Sequence, residues 1–426
     1  MENFDTMMVR AGYDIDPVTK SVTPPIYQTN AYVFDSTEHA KNLFELKEPG
    51  NIYTRIMNPT FDVLEKRVAA LEGGVGALAV SSGHSAIAMT VLNLAVAGDE
   101  IISSRFIYGG AINMLGISFS KLGINVKFVD INNLQEVEDS INDKTKFIFA
   151  ETIGNPNADI ADIEALADIA HKHGLPLIID STFTSPYLIR PFEYGADIVI
   201  HSATKCLDGH SNAMGGIVVD SGKFKWKDNP RFPQFNNPDL SYHGVVFVES
   251  AGPAAFISRL RVLILRDFGS CLSPFNAFLI LNGIETLSLR MRKHSDNAYE
   301  VAKYLKKHPD VSLVNYAAFE DSKYYNLYKK YYSKKGLAAV FTFELKGTRE
   351  QAGKFIDNLK LIMNVANVCD VRSLVIHPAT TTHSQLNTEQ LKNSGISEQT
   401  IRLSVGIEDI NDIIADIGQA IEKSKH

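Results

Sequence analysis

The chain has 426 residues, 45% apolar and 21% charged, with a formal net charge of −7. That length holds two or three domains of ordinary globular composition, and the acidic total without a basic run argues against a nucleic-acid partner. No apolar run is long enough to span a bilayer, no signal-peptide core follows the acidic start Met1–Asp5, and three scattered cysteines (Cys206, Cys271, Cys369) form no zinc or disulfide framework. A cytoplasmic protein without a membrane partner is expected.

Residues 1 to about 60 are punctuated by Pro17, Pro24, Pro25, Pro49 and Pro59 and show little helical periodicity. They read as an N-terminal arm that packs on something else, such as a neighbouring subunit. From Asp62 the pattern is regular. A helix over about 62–71 leads to a strand at 77–80 that ends in Ser81-Ser82-Gly83. Further short apolar runs follow at 100–103, 126–129, 147–150, 177–179, 198–200 and 217–219, with helical patterns such as 163–173 between them. The alternation predicts an α/β domain over 61–270, with a mostly parallel central sheet covered on both faces.

Long helical patterns begin near Leu272 and run to about Lys307. Strand-like segments at 311–314, 338–345, 361–365, 374–376 and 401–405, with helices at 349–358 and 410–422, predict a smaller α+β domain over 271–426. The lysines and tyrosines between Lys323 and Lys335 read as a solvated helix with its tyrosines partly packed, not as an RNA-stacking surface.

In parallel sheets ligands bind beyond the carboxyl ends of the strands. The residues predicted there are Ser82-Gly83, Tyr108, Asn155, Asp180 and Ser202-Ala203-Thr204-Lys205. A lysine reached through an apolar strand has its amine pushed towards the neutral, nucleophilic form by burial. Together with an acid one strand–helix–strand unit earlier and neighbouring hydroxyls, it suits pyridoxal phosphate (PLP): the amine can form a Schiff base, Asp180 can pair with the pyridinium nitrogen, and the hydroxyls can bind phosphate. Ser82-Gly83-His84 at a helix start adds a candidate phosphate cradle.

Rival patterns are weaker. Gly73-Gly74-Val75-Gly76 precedes its strand, the wrong order for a dinucleotide site. Ser202-x-x-Lys205 with Ser295-Asp296-Asn297 mimics two of the three motifs of serine β-lactamases, but Lys-Thr-Gly is absent, and 295–297 reads as the solvated face of a helix. Arg402, alternating with Ile401, Leu403 and Val405, is either an exposed strand residue or a bidentate clamp for a carboxylate. His171, His173, His201, His377 and His383 have no convincing ligand spacing, and no metal site is predicted.

Longer segments carry a resemblance: Ile52-Tyr53-Thr54-Arg55-Ile56-Met57-Asn58-Pro59-Thr60, Ala69-Ala70-Leu71-Glu72-Gly73-Gly74, Leu272 to Phe278, and Ser373-Leu374-Val375-Ile376-His377-Pro378. With these the chain resembles, almost end to end, the Cys/Met-metabolism family of fold-type I PLP enzymes, and within it the branch acting on O-acetylhomoserine. The resemblance implies that Lys205 carries the cofactor and shuttles protons, Asp180 keeps the ring nitrogen protonated, and Tyr108 stacks on the ring. It implies that Ser82, Gly83, His84, Ser202 and Thr204 surround the phosphate, joined by Tyr53 and Arg55 from the neighbouring subunit of a homotetramer built from active dimers. Asn155, Ser373 and Arg402 would orient the substrate, and Tyr53 or Tyr108 could act as acid or base. The implied reaction is γ-replacement by sulfide or a small thiol; a γ-lyase or cystathionine γ-synthase is the alternative. Methionine-cleaving relatives often carry a cysteine two residues after the stacking tyrosine, where this chain has Gly110. It also departs from the family pattern at Cys206 to Ser211, at Ala111 and Cys369, and at His84.

Overall fold

The computed structural model describes residues 3–425 other than 46, 157 and 382–395; His383 lies outside the described residues. A seven-stranded sheet is formed by Gly76–Val80 (β1), Glu100–Ser104 (β2), Asn125–Val129 (β3), Thr145–Glu151 (β4), Leu177–Asp180 (β5), Ile198–Ser202 (β6) and Gly216–Asp220 (β7), in the order β1-β7-β6-β5-β4-β2-β3. Every pair from β6 to β3 is parallel, and β7 runs antiparallel to both neighbours. The expected mostly parallel sheet is therefore present.

These strands are apolar throughout because both faces are buried. Leu78, Val80, Ile178, Ile198, Ile200 and Val218 join one core. The residues alternating with them, including Ala77, Ala79, Ile179, Val199, Ile217 and Val219, join the other. Helices begin where the side chains allow. Asn58 caps the helix Pro59–Glu72 by accepting the Thr60 N–H, and Gly73 ends it at φ 82°. Ser82 caps Gly83–Leu94 by accepting from the Ser85 N–H.

A second sheet contains Val311–Asn315 (β8), Val340–Leu345 (β9), Met363–Asn364 (β10), Leu374–Ile376 (β11) and Thr400–Ser404 (β12), in the order β10-β11-β12-β9-β8. The strand expected over 361–365 shrinks to two residues. The long helix Leu287–Lys307 precedes this sheet. Its Ser295 and Asn297 are buried, contrary to the expected solvated face. Ser295 donates to the Leu337 carbonyl at 2.6 Å, and Asn297 donates to the carbonyls of Gly406 and Glu408, each at 2.9 Å. The helix period places these residues on a face, but the carbonyls that satisfy them come from distant loops.

The N-terminal arm is less bare of helix than its prolines suggest. Phe4–Arg10 and Thr37–Phe44 are helical, and Phe4 sets its ring edge-on to Tyr187 at 5.4 Å. No helix among the described residues is long and apolar enough to cross a membrane.

Asp416, on the helix Ile410–Ser424, ties down the chain entering β10 by accepting the N–H groups of Lys360 and Leu361 at 2.9 Å and of Ile362 at 3.0 Å. Burial pushes its carboxyl up, but these donors outweigh burial and hold it below the ordinary value. Asp416→Asn is expected to cost about 1–3 kcal/mol, read as a lowered thermal midpoint. Because the folded-state value is depressed, the aspartate's contribution is full above about pH 4 and is lost as pH falls through the folded value. The gap between variant and parent should therefore narrow in acid.

Candidate active site

Parallel strands with matched ends put their last side chains in one layer. Glu151 ends β4 opposite Asp180, which ends β5, and Ser202 ends β6. Beyond these ends lies a cavity of about 280 Å³. Ten of the thirteen residues predicted for the site line it: Ser82, Gly83, His84, Tyr108, Asn155, Asp180, Ser202, Thr204, Lys205 and Arg402.

Three do not. Ser373 is turned away, because its N–H and hydroxyl both donate to Glu408, at 2.6 and 2.8 Å, and its oxygen accepts the Gly406 N–H. Tyr53 and Arg55 are exposed on the arm. Arg55 lies over the Tyr53 ring at 5.5 Å and donates to the Arg266 carbonyl at 2.6 Å.

Lys205 follows β6 in a tight turn, its N–H bonded to the Ser202 carbonyl. Its amine donates to Asn367 Oδ1 and forms no ion pair among the described residues. Burial pushes that amine below the usual lysine value, and the positive charge of Arg402 adds to the shift. Asn367 in turn donates to Ser211 Oγ at 2.7 Å, and Ser211 donates to Asp370. Ser211, at the end of the segment Cys206 to Ser211, is thus part of the lysine's support. Neither Asn367 nor Ser211 was foreseen, since a polar residue in an irregular loop carries no periodic signal.

Asp180 is raised by burial, against which the Thr182 hydroxyl and N–H pull its value down. Thr182 Oγ1 also accepts the Ser202 N–H at 2.8 Å, joining the ends of β5 and β6. Tyr108 stands at the start of the helix Gly109–Asn113, edge-on to His84 at 5.6 Å. A Cβ on Gly110 would lie 2.5 Å from that tyrosine ring, so a side chain there would displace it. Gly83 is equally constrained, as its Cβ would fall 2.6 Å from Ser202 Cβ. Thr204 donates its hydroxyl proton to the Gly215 carbonyl at 3.2 Å and accepts the Gly215 N–H, which fixes the turn and commits its only donor.

On the opposite wall Arg402 projects from β12. It is buried, and Nη1 donates to Asn155 Oδ1 at 3.1 Å. Burial lowers it to about 10, so it remains a cation at neutral pH.

The Cys/Met metabolism PLP-dependent enzyme family model matches residues 5–422. The chain belongs to this family. It is 49% identical to an O-acetyl-L-homoserine sulfhydrylase of Leptospira meyeri, over 98% of this chain and 96% of that protein. Among solved structures it superposes at a TM-score of 0.96, with 41% identity over 99% of this chain and 100% of the other, on an O-acetylhomoserine (thiol)-lyase designation from Campylobacter jejuni with N'-pyridoxyl-lysine-5'-monophosphate at position 205. A cystathionine γ-lyase of Lactobacillus plantarum in complex with L-serine gives a TM-score of 0.85 and 30% identity, with both chains fully covered.

The enzyme is PLP-dependent, and its cavity fits the cofactor. It offers an amine depressed by burial and free of an acid partner, a carboxylate at the end of the neighbouring strand, and a capped helix start with hydroxyls beside it. Asn367→Asp is expected to weaken cofactor incorporation, because a carboxylate beside Lys205 favours the ammonium form. Asn367→Ala should still take up PLP but turn over about tenfold more slowly, through loss of one bond to the lysine. Absorbance titration with PLP and steady-state rates check both.

Proposed function

We propose that the enzyme carries out γ-replacement on O-acetyl-L-homoserine: sulfide displaces acetate to give L-homocysteine, or methanethiol gives methionine. The observation that carries this reading is the pairing of Lys205 and Arg402 across one cavity, in a chain that matches sulfhydrylases from end to end. Bound PLP supplies an electron sink that lets protons leave Cα and Cβ of the amino acid.

The remaining work falls to the protein. Arg402, braced by Asn155, receives the substrate carboxylate and so aims Cα and Cβ at Lys205. The Lys205 amine, pushed by burial below the usual lysine value, is the group that takes up a proton and, as ammonium, returns it. Asn367 holds this amine on one side of the cavity while it is free. With PLP bound, Asp180 would keep the ring nitrogen protonated, and Ser82, Gly83, His84 and Ser202 would hold the phosphate, with Thr204 acting through the turn it fixes. Tyr108 would cover the ring and, lining the cavity, supplies a phenol for acid–base work. A γ-lyase reading gains nothing at Gly110, where a cysteine would have to displace the Tyr108 ring.

Completion of the site by a second copy belongs to the same proposal. Tyr53 and Arg55 lie outside their own chain's cavity, and the arm carries Val18, Val22 and Val33 at 86–97% exposure. Burying such side chains against a neighbour contributes about 1.5–3 kcal/mol each, and would bring Tyr53 and Arg55 to the neighbour's phosphate. Residues 1–60, 61–270 and 271–426 then act as arm, cofactor domain and substrate-clamping domain of a cytoplasmic homotetramer. Light scattering should report four chains, and Arg55→Ala should weaken cofactor retention.

Purified enzyme should form homocysteine and acetate in equal amounts only when O-acetylhomoserine and sulfide are both present. Ketobutyrate and ammonia from methionine would instead establish the lyase. Arg402→Lys should raise KM for the amino acid by about tenfold or more, since lysine lacks the planar fork.

A further inference from the structure

Glu151 has no part in the mechanism above, yet it lies in the cavity floor. It ends β4 as Asp180 ends β5, the two are direct partners in the parallel register, and both line the same cavity. Glu151 is only 9% exposed, and its Oε1 accepts the Tyr108 N–H at 2.8 Å. This is the bond that fixes the backbone carrying the ring-covering tyrosine.

Two adjacent buried carboxyls do not ionise together at neutral pH, and the better-solvated one takes the charge. Asp180 accepts the Thr182 N–H at 2.9 Å, and Thr182, His201 and His84 all favour its ionised form. Among the described residues Glu151 has the Tyr108 N–H as its donor and no cation beside it; burial first, then the charge of Asp180, push its carboxyl well above the usual range. Of the two acids, Glu151 is the one pushed further towards its protonated form.

We propose that Glu151 is a positioning residue for the cofactor: a neutral carboxylic acid that pins Tyr108 over the ring site and leaves Asp180 as the single negative charge in the floor. The proposal rests on PLP binding in this cavity and not on which thiol reacts.

The test compares holoenzyme variants by absorption spectrum, rate of cofactor release on dilution, and kcat. Glu151→Gln keeps a neutral group with an acceptor oxygen for Tyr108, so all three should stay within about twofold of the parent. Glu151→Met fills similar space without a strong acceptor. It should shift the cofactor band, release PLP about tenfold faster and lower kcat about tenfold, the loss expected for one buried bond. If the methionine variant does not fold, Glu151→Ala is read in its place. A glutamine variant as impaired as the methionine one would overturn the proposal, because an ionised carboxylate would then be required. So would a methionine or alanine variant indistinguishable from the parent. The spectrum and release rate need no substrate, so an error in the assigned reaction would leave them unchanged.

Discussion

The register of three parallel strands is the constraint on which the site depends. β4, β5 and β6 are buried on both faces, so their apolar side chains lock the pairing, and a slip of one residue would turn polar ends into the core. With the register locked, Glu151, Asp180 and Ser202 emerge together at one edge. The Thr182 hydroxyl then crosses between strand ends, accepting from Ser202 while supporting Asp180. The turn that follows can deliver Lys205 to only one place.

Charge around this edge is set by burial and by neutral hydrogen-bond partners more than by ion pairs. Arg402 and Lys205 face the cavity from different sheets, and the charge of Arg402 makes the ammonium form of Lys205 less favourable. The guanidinium, with the higher intrinsic value, keeps its charge, and the amine is the group driven towards neutrality. A neutral-carbonyl partner at Asn367 preserves that poise, which a carboxylate there would cancel. The same logic separates the two acids of the floor.

The stretch Cys206 to Ser211 is held in place by long-range partners. Arg290 donates to the carbonyls of Cys206 and Leu207 and to that of Gly283, so the long helix Leu287–Lys307 clamps the turn from behind. Asp208 accepts the N–H groups of His210 and Asn212. Ser211 joins the chain of bonds running from Lys205 through Asn367 to Asp370. These residues lie behind the lysine and leave the cavity wall opposite it to Arg402 and Asn155.

Local period and strand-end position were sufficient to locate Lys205, Asp180, Ser82-Gly83 and Tyr108, because each borders an apolar run that can only be a buried strand or the turn after one. They also placed Arg402 on a strand, while leaving open whether its polar face met water or a cavity. Only the packing of one sheet against the other decided that, by burying the guanidinium against Asn155. Glu151 and Asn367 left no sequence signal, since a glutamate at a strand end and an asparagine in a loop are ordinarily solvated. Ser373 lies off the cavity for the converse reason: its motif fixes the neighbourhood, but Glu408, 35 positions away, takes its hydroxyl proton. Patterns of apolar residues determine which groups reach the edge of the sheet. Which of them share a proton, a charge or a cavity depends on long-range partners, and those exist only in the folded chain.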